Sequence, residues 1–231
     1  MAFRPFLAMT EAEIRHCAAL PPGICWMACH FSPYGLGLSN LPRDLPPGSI
    51  LMLDDITPIR GHSPDIIAAQ LDGTIAGLQC AGVLLDFQRP DVMETKELAG
   101  FLTEALPCPV AVSDVYADGL ACPVFLSAPP CHMPLNEHID PWQGREIWLE
   151  MAMAAEQITL RQNGADIMPL PCPGETEGFA ESGLHCHYRV EIEEDRAVFT
   201  LWRTREDLKA QLADAEALGI DTGIGLYQEL L

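Results

Sequence analysis

Acidic residues stand directly after several short apolar runs. Asp54 and Asp55 follow Ile50-Leu51-Met52-Leu53, and Asp86 and Gln88 follow Val83-Leu84-Leu85. Ser113 and Asp114 follow Val110-Ala111-Val112, and Glu150 lies within the run 146–153. Three aromatic residues, Tyr34, Trp202 and Tyr227, fall at comparable positions, as do His30, Ser127, Arg203 and Glu229. Carboxylates accept hydrogen bonds from hydroxyl groups, and aromatic faces cover the apolar face of a pyranose ring, so this mixture suits a sugar. Asp54-Asp55 could bind a metal or a substrate, and has a second reading as a pair that caps the following loop. His185-Cys186-His187, with Cys131-His132, contains zinc-ligand types, but the alternation also fits an ordinary hairpin, and neither a metal nor a cofactor is expected.

Such groups need a scaffold that presents strand ends together. Short apolar strands alternate with helical segments along most of the 231 residues, the pattern of a parallel sheet covered by helices. Strands are expected at 24–30, 50–53, 83–87, 110–112, 124–126, 146–153 and 220–227. Ser63-Pro64-Asp65 opens a helix with Pro at its first position, and Ile67, Leu71, Ile75 and Leu78 form its apolar stripe. A second helix is expected near 94–106. Gln157 to Leu170 reads as a hairpin turning at Asn163-Gly164, and 185–192 with 197–202 as another. Thr204 and Asp207 form a capping box for a last helix that Gly219 ends. The expected fold is a single (β/α)8 TIM-type barrel over residues 1–231, with antiparallel hairpin insertions in its C-terminal half; about eight barrel strands leave an incomplete or irregular barrel open. In such a barrel the chemistry sits at the C-terminal ends of the strands.

Composition narrows the partners. The net charge is −20, from 33 acidic and 13 basic residues, which argues against nucleic acid and anionic membrane. A carbohydrate or other small neutral ligand fits better, and a cation or a protein partner is open. The nine cysteines include no CxxC pair, and the start shows no charged-then-apolar leader. Reduced thiols in a cytoplasmic protein are therefore expected.

Cys80-Ala81-Gly82-Val83-Leu84-Leu85-Asp86-Phe87-Gln88-Arg89-Pro90 resembles the signature strand of family 18 (chitinase-like) glycoside hydrolases, roughly aromatic-D-G-I-D-L-D-W-E-Y-P. The segment from Thr204 to Tyr227 is similar to that family's last helix and closing strand, with Tyr227 in place of the usual Trp. The resemblance implies a TIM barrel and places the catalytic positions at Asp86 and Gln88. It also implies impaired chemistry. The family's general acid is the final Glu, which here is Gln88. Two of its Asp positions are Ala81 and Leu84, and its Met-x-Tyr-Asp strand end falls near Leu126-Ser127-Ala128-Pro129. Asp86 matches the residue that assists the substrate's own acetamido group. A carbohydrate-binding barrel without the usual acid catalysis is expected, with Tyr34, Asp54, Asp55, Asp114, Glu150, Trp202 and Tyr227 lining the site. An active glycosidase whose acid has moved to Asp54, Asp114 or Glu150 is the alternative, followed by a non-enzymatic interaction barrel.

Overall fold

The computed structural model describes residues 3–59, 61–173 and 177–230. In chain order the elements are β1 (Arg4–Met9), α1 (Glu11–His16), β2 (Ile24–Phe31), β3 (Leu38–Ser39), β4 (Ile50–Asp54), α2 (Pro64–Leu78), β5 (Gly82–Asp86), α3 (Met93–Ala105), β6 (Val110–Ser113), α4 (Asp114–Ala117), β7 (Val124–Leu126), α5 (Leu135–Ile139), β8 (Ile147–Met151), β9 (Ala155–Arg161), β10 (Gly164–Leu170), β11 (Phe179–Glu181), β12 (Cys186–Ile192), β13 (Arg196–Trp202), α6 (Arg205–Ala217), β14 (Thr222–Leu226) and α7 (Tyr227–Leu230).

Eight strands close into a parallel barrel, β1-β2-β4-β5-β6-β7-β8-β14 and back to β1. The short β3 adds an antiparallel edge to β2 at the rim. The closing strand β1 is the barrel strand that sequence reasoning missed. Its last four residues, Phe6 to Met9, are buried on both sides, and a fully buried strand shows a continuous apolar run rather than alternation. Four residues are too few to reveal which. Pro5 is tolerated because β1 meets β2 only from Leu7 onward.

Alternate residues fill the interior. Phe6, Ala8, Cys25, Ile50, Met52, Leu84, Ala111, Phe125, Trp148 and Ile224 form one buried cluster, so the barrel is packed and not a pore. Trp148 reaches beneath Gly82: a Cβ there would lie 2.9 Å from its ring and 2.9 Å from the Pro109 carbonyl. Residues of the other parity pack outward against the helices, including Ile67, Leu71 and Ile75 of α2 and Leu98 and Leu102 of α3. Pro64 opens α2 as the sequence indicates, and both bonds of the Thr204–Asp207 capping box are present.

A five-stranded antiparallel sheet, β10-β9-β13-β12-β11, stands between β8 and α6. It holds both expected hairpins. In the first, Gly164 pairs with Arg161, so the turn is Gln162-Asn163, one residue earlier than Asn163-Gly164. Seven paired rungs set this register, which seats Ile158 opposite Ile167, and they outweigh the local preference of an Asn-Gly turn.

Gly225 is held by its neighbours. A Cβ would stand 2.5 Å from the Met151 carbonyl oxygen of the adjacent strand and 2.7 Å from Leu230. The carbonyl is backbone of β8 and cannot yield without opening the β8–β14 pair. Gly225→Ala is expected to lower stability by about 1–3 kcal/mol, read from the denaturant midpoint at an unchanged m-value.

Candidate functional site at the barrel rim

Strand parity delivers three carboxylates to one layer. In β4 the inward residues are Ile50 and Met52, so Asp54 follows; in β5 Leu84 leads to Asp86; in β8 Trp148 leads to Glu150. His30, Asp54 and Asp86 stand side by side in register across β2, β4 and β5. Glu150 pairs with Ile224 of β14.

These groups sense one another. Burial pushes the carboxyls of Asp54, Asp86 and Glu150 above the ordinary range. For Asp86, the hydrogen bond from Gln88 opposes that rise and the charge of Asp55 adds to it. For Glu150, the backbone N–H of Ala128 donates to Oε2 at 2.9 Å and opposes the rise, while Asp86 and Glu229 add to it. Glu229, in α7, accepts from the Met153 N–H at 2.7 Å.

Gln88 Nε2 donates to Asp86 Oδ1 at 2.6 Å, and Gln88 itself is exposed. The loop carrying it is braced from below. Asp55, 5% exposed, accepts from the backbone N–H groups of Gln88 and Arg89 at 3.1 and 3.0 Å. Tyr116 donates to the Arg89 carbonyl and accepts from Val92 N–H, and Ser113 donates to the Phe87 carbonyl at 2.6 Å. The carboxylate of Asp55 is thus committed to the backbone. A cleft of about 480 Å³ opens beside this loop, lined by Asp55, Ile59, Arg89, Asp91 and Glu94 among others.

The remaining candidates differ in their surroundings, and Asp114, directly after β6, stands at the same end of the barrel. Asp114 is the first residue of α4, half-buried and close enough to His138 to favour its charged form. Tyr34 is 98% exposed in the turn between β2 and β3. Trp202 is 1% exposed within the antiparallel sheet, its ring stacked on His187. Tyr227 packs half-buried on the outer core, its hydroxyl 3.9 Å from Cys17 Sγ. The structure therefore brings Asp54, Asp86, Gln88 and Glu150 to one rim, with Asp55 beneath. His138 was not read from the sequence, because it sits on α5 and not at a strand end; it pairs with the Ser127 carbonyl at 2.9 Å, and burial holds its pKa down.

The zinc-type residues disperse. His132, His185 and His187 pair with three different carboxylates, Glu156, Asp214 and Asp207. Among the described residues no three His, Cys, Asp or Glu side chains could hold a metal ion, and no helix is long and apolar enough to cross a membrane.

A carboxyl whose pKa is raised on folding contributes stability below its unfolded value and loses it as pH rises through the folded value. Glu150→Gln is therefore expected to raise Tm at pH 7. The advantage should shrink as pH falls toward 4.5, the group's ordinary value. Thermal melts across pH 4 to 8 check this; a variant less stable than wild type at pH 7 would contradict the placement.

No family model matches the sequence, and no curated protein matches it. Solved structures do resemble the fold. The spore cortex-lytic enzyme SleL of Bacillus cereus aligns at TM-score 0.58 and 8% identity, over 100% of this chain and 72% of that one. A chitinase from Chromobacterium violaceum aligns at 0.56 and 9%, over 97% and 93%. A glycoside hydrolase family 18 N-acetylglucosaminidase from Paenibacillus barengoltzii aligns at 0.59 and 11%, over 99% and 97%. The chain spans 56% of the length of the Bacillus megaterium SleL structure. What the three likenesses with TM-scores of 0.56 to 0.59 establish is the fold, a closed (β/α)8 barrel.

Proposed function

We propose that the barrel rim binds a carbohydrate and lacks the proton donor of an ordinary chitinase. The observation that carries this reading is the Asp86–Gln88 pair, 2.6 Å apart at the C-terminal end of β5. Asp86 offers a carboxylate to sugar hydroxyls or to an acetamido N–H. The Gln88 amide orients that carboxylate and has no acidic proton to give a leaving group. General acid help is worth ~10²–10⁴-fold in rate, so this position supports recognition and not cleavage. Asp54 and Glu150 supply further acceptors in the same layer, and the net charge of −20 suits a neutral ligand. The nine free thiols fit a reducing, cytoplasmic setting.

The test combines thermal shift with product release on chitooligosaccharides and other glycans. Stabilisation without new reducing ends is the expected result. No shift with any glycan would overturn the reading and favour an interaction role for the acidic surface.

One observation favours an active alternative. Burial, with Asp86 nearby, keeps the Glu150 proton on to higher pH than an ordinary carboxyl, which is what a general acid needs. Under that reading glycan cleavage is detectable, and Glu150→Gln removes it.

A further inference from the structure

Two hydrogen bonds at the rim meet on a single peptide group. β7 pairs with β8 up to the rung Leu126–Leu149, so the chain leaves the barrel wall beside Glu150. The peptide that joins Ser127 to Ala128 comes next. Its carbonyl, from Ser127, lies 2.9 Å from His138 Nε2. Its N–H, from Ala128, donates to Glu150 Oε2 at 2.9 Å. A carbonyl oxygen only accepts, so Nε2 carries a proton in either charge state of the ring. The order is therefore imidazole N–H to carbonyl, then amide N–H to carboxyl.

A planar trans peptide points its C=O and N–H in opposite directions, and resonance joins them. A donor at the oxygen fixes the plane and polarises the N–H at the other end, and hydrogen bonds linked in this way strengthen one another. His138 rides on α5, which is anchored by Leu135 and Ile139 in the outer core. At His138, burial favours the neutral ring, the Ser127 carbonyl and Asp114 of α4 favour the charged one, and Arg203 opposes it. At Glu150, burial keeps the proton on, and Asp86 of β5 and Glu229 of α7 do the same. The Ala128 N–H alone among these favours the carboxylate, so whatever governs that N–H governs the charge of Glu150.

We propose that His138 is a positioning residue for Glu150: through the Ser127–Ala128 peptide it sets how strongly the rim holds Glu150 as a carboxylate. This rests on the rim being the ligand site, and it gives that site its regulation. An ionised Glu150 accepts from a ligand hydroxyl, whereas a protonated one donates. An imidazolium is a stronger donor than a neutral ring, so charging His138 strengthens the first bond of the chain and favours the carboxylate at its end.

The experiment is an NMR pH titration of the full chain without ligand. Glutamates carry isotope-labelled carboxyl carbons, and Glu150→Gln identifies the Glu150 signal by its loss. His138→Ala is expected to raise the Glu150 midpoint by ~0.5 pH or more, a gain of ~3-fold or more in proton affinity, because a bond to a charged group is weakened or lost. His138→Gln should recover at least about half of that change, since its amide can donate to the same carbonyl. The wild-type chain supplies a second readout that needs no variant to fold: the Ala128 amide proton should move with the His138 ring as well as with Glu150. An unchanged Glu150 midpoint in His138→Ala, no recovery in His138→Gln, or an Ala128 amide that follows the carboxyl alone would overturn the proposal. Absence of glycan binding with this coupling intact would count against the ligand reading alone.

Discussion

Trp202→Ala is expected to destabilise the protein by about 3–5 kcal/mol, seen as a fall of roughly 10 °C in Tm for a chain of this size. Trp202 is among the largest fully buried side chains, 1% exposed at the end of β13. Its ring occupies the space that Gly178 leaves open, where a Cβ would approach to 2.4 Å. The next residue, Arg203, is fully buried and donates to the carbonyls of Pro129 and Pro130. Trp202 therefore sits where the antiparallel sheet returns to the barrel, and its loss leaves a cavity at that junction. Trp202→Phe separates packing from polarity. The indole Nε1 has no partner among the described residues, so phenylalanine removes an unmet donor while keeping much of the volume. Its cost should be well under half that of alanine. A larger fall for phenylalanine than for alanine would contradict the account.

Asp86→Asn should have the largest effect on ligand binding, and in the opposite direction to its effect on stability. A hydrogen bond to a charged group is worth about 1.5–3 kcal/mol, or roughly tenfold to a hundredfold in Kd. Glycan-dependent stabilisation should fall accordingly in the variant. Without ligand, the variant should be more stable than wild type at pH 7. The Asp86 carboxyl is pushed up by burial, so its ionisation opposes folding above its ordinary value of 3.8 and the benefit of removing the charge grows as pH rises. A residue with a merely structural role would lose stability and binding together. Isothermal titration alongside unliganded melts distinguishes the two outcomes.

Much of the scaffold was legible in local patterns. The apolar runs ending in Asp54 and Asp86 announce strands whose ends carry acids, and Thr204 with Asp207 marks a helix start through bonds made within four residues. The Asp86–Gln88 contact also follows from the sequence, because residues two apart on an extended segment share a face. These features depend on near neighbours, so periodicity and capping reveal them.

Other features depend on distant partners. β1 is a barrel strand because β14 and β2 flank it, from opposite ends of the chain and from across α1. Asn163-Gly164 loses its turn to the register of seven rungs. Trp202, placed by strand order among the rim aromatics, is instead sealed inside the second sheet, and Tyr227 turns to the outer core. Gln211 reads as one polar position on a helix until burial leaves its oxygen unpaired.

The rim carries both lessons. The sequence by itself determined that an amide stands beside Asp86 where the chitinase-like pattern has an acid, because side-chain chemistry and a two-residue spacing need no fold to be read. Only the tertiary structure decided that Glu150, 64 residues later, shares the field of Asp86, and that Asp55 spends its carboxylate on the Gln88 loop. Barrel closure sets those distances, and burial in the closed barrel raises the carboxyls, so neither property exists in the unfolded chain.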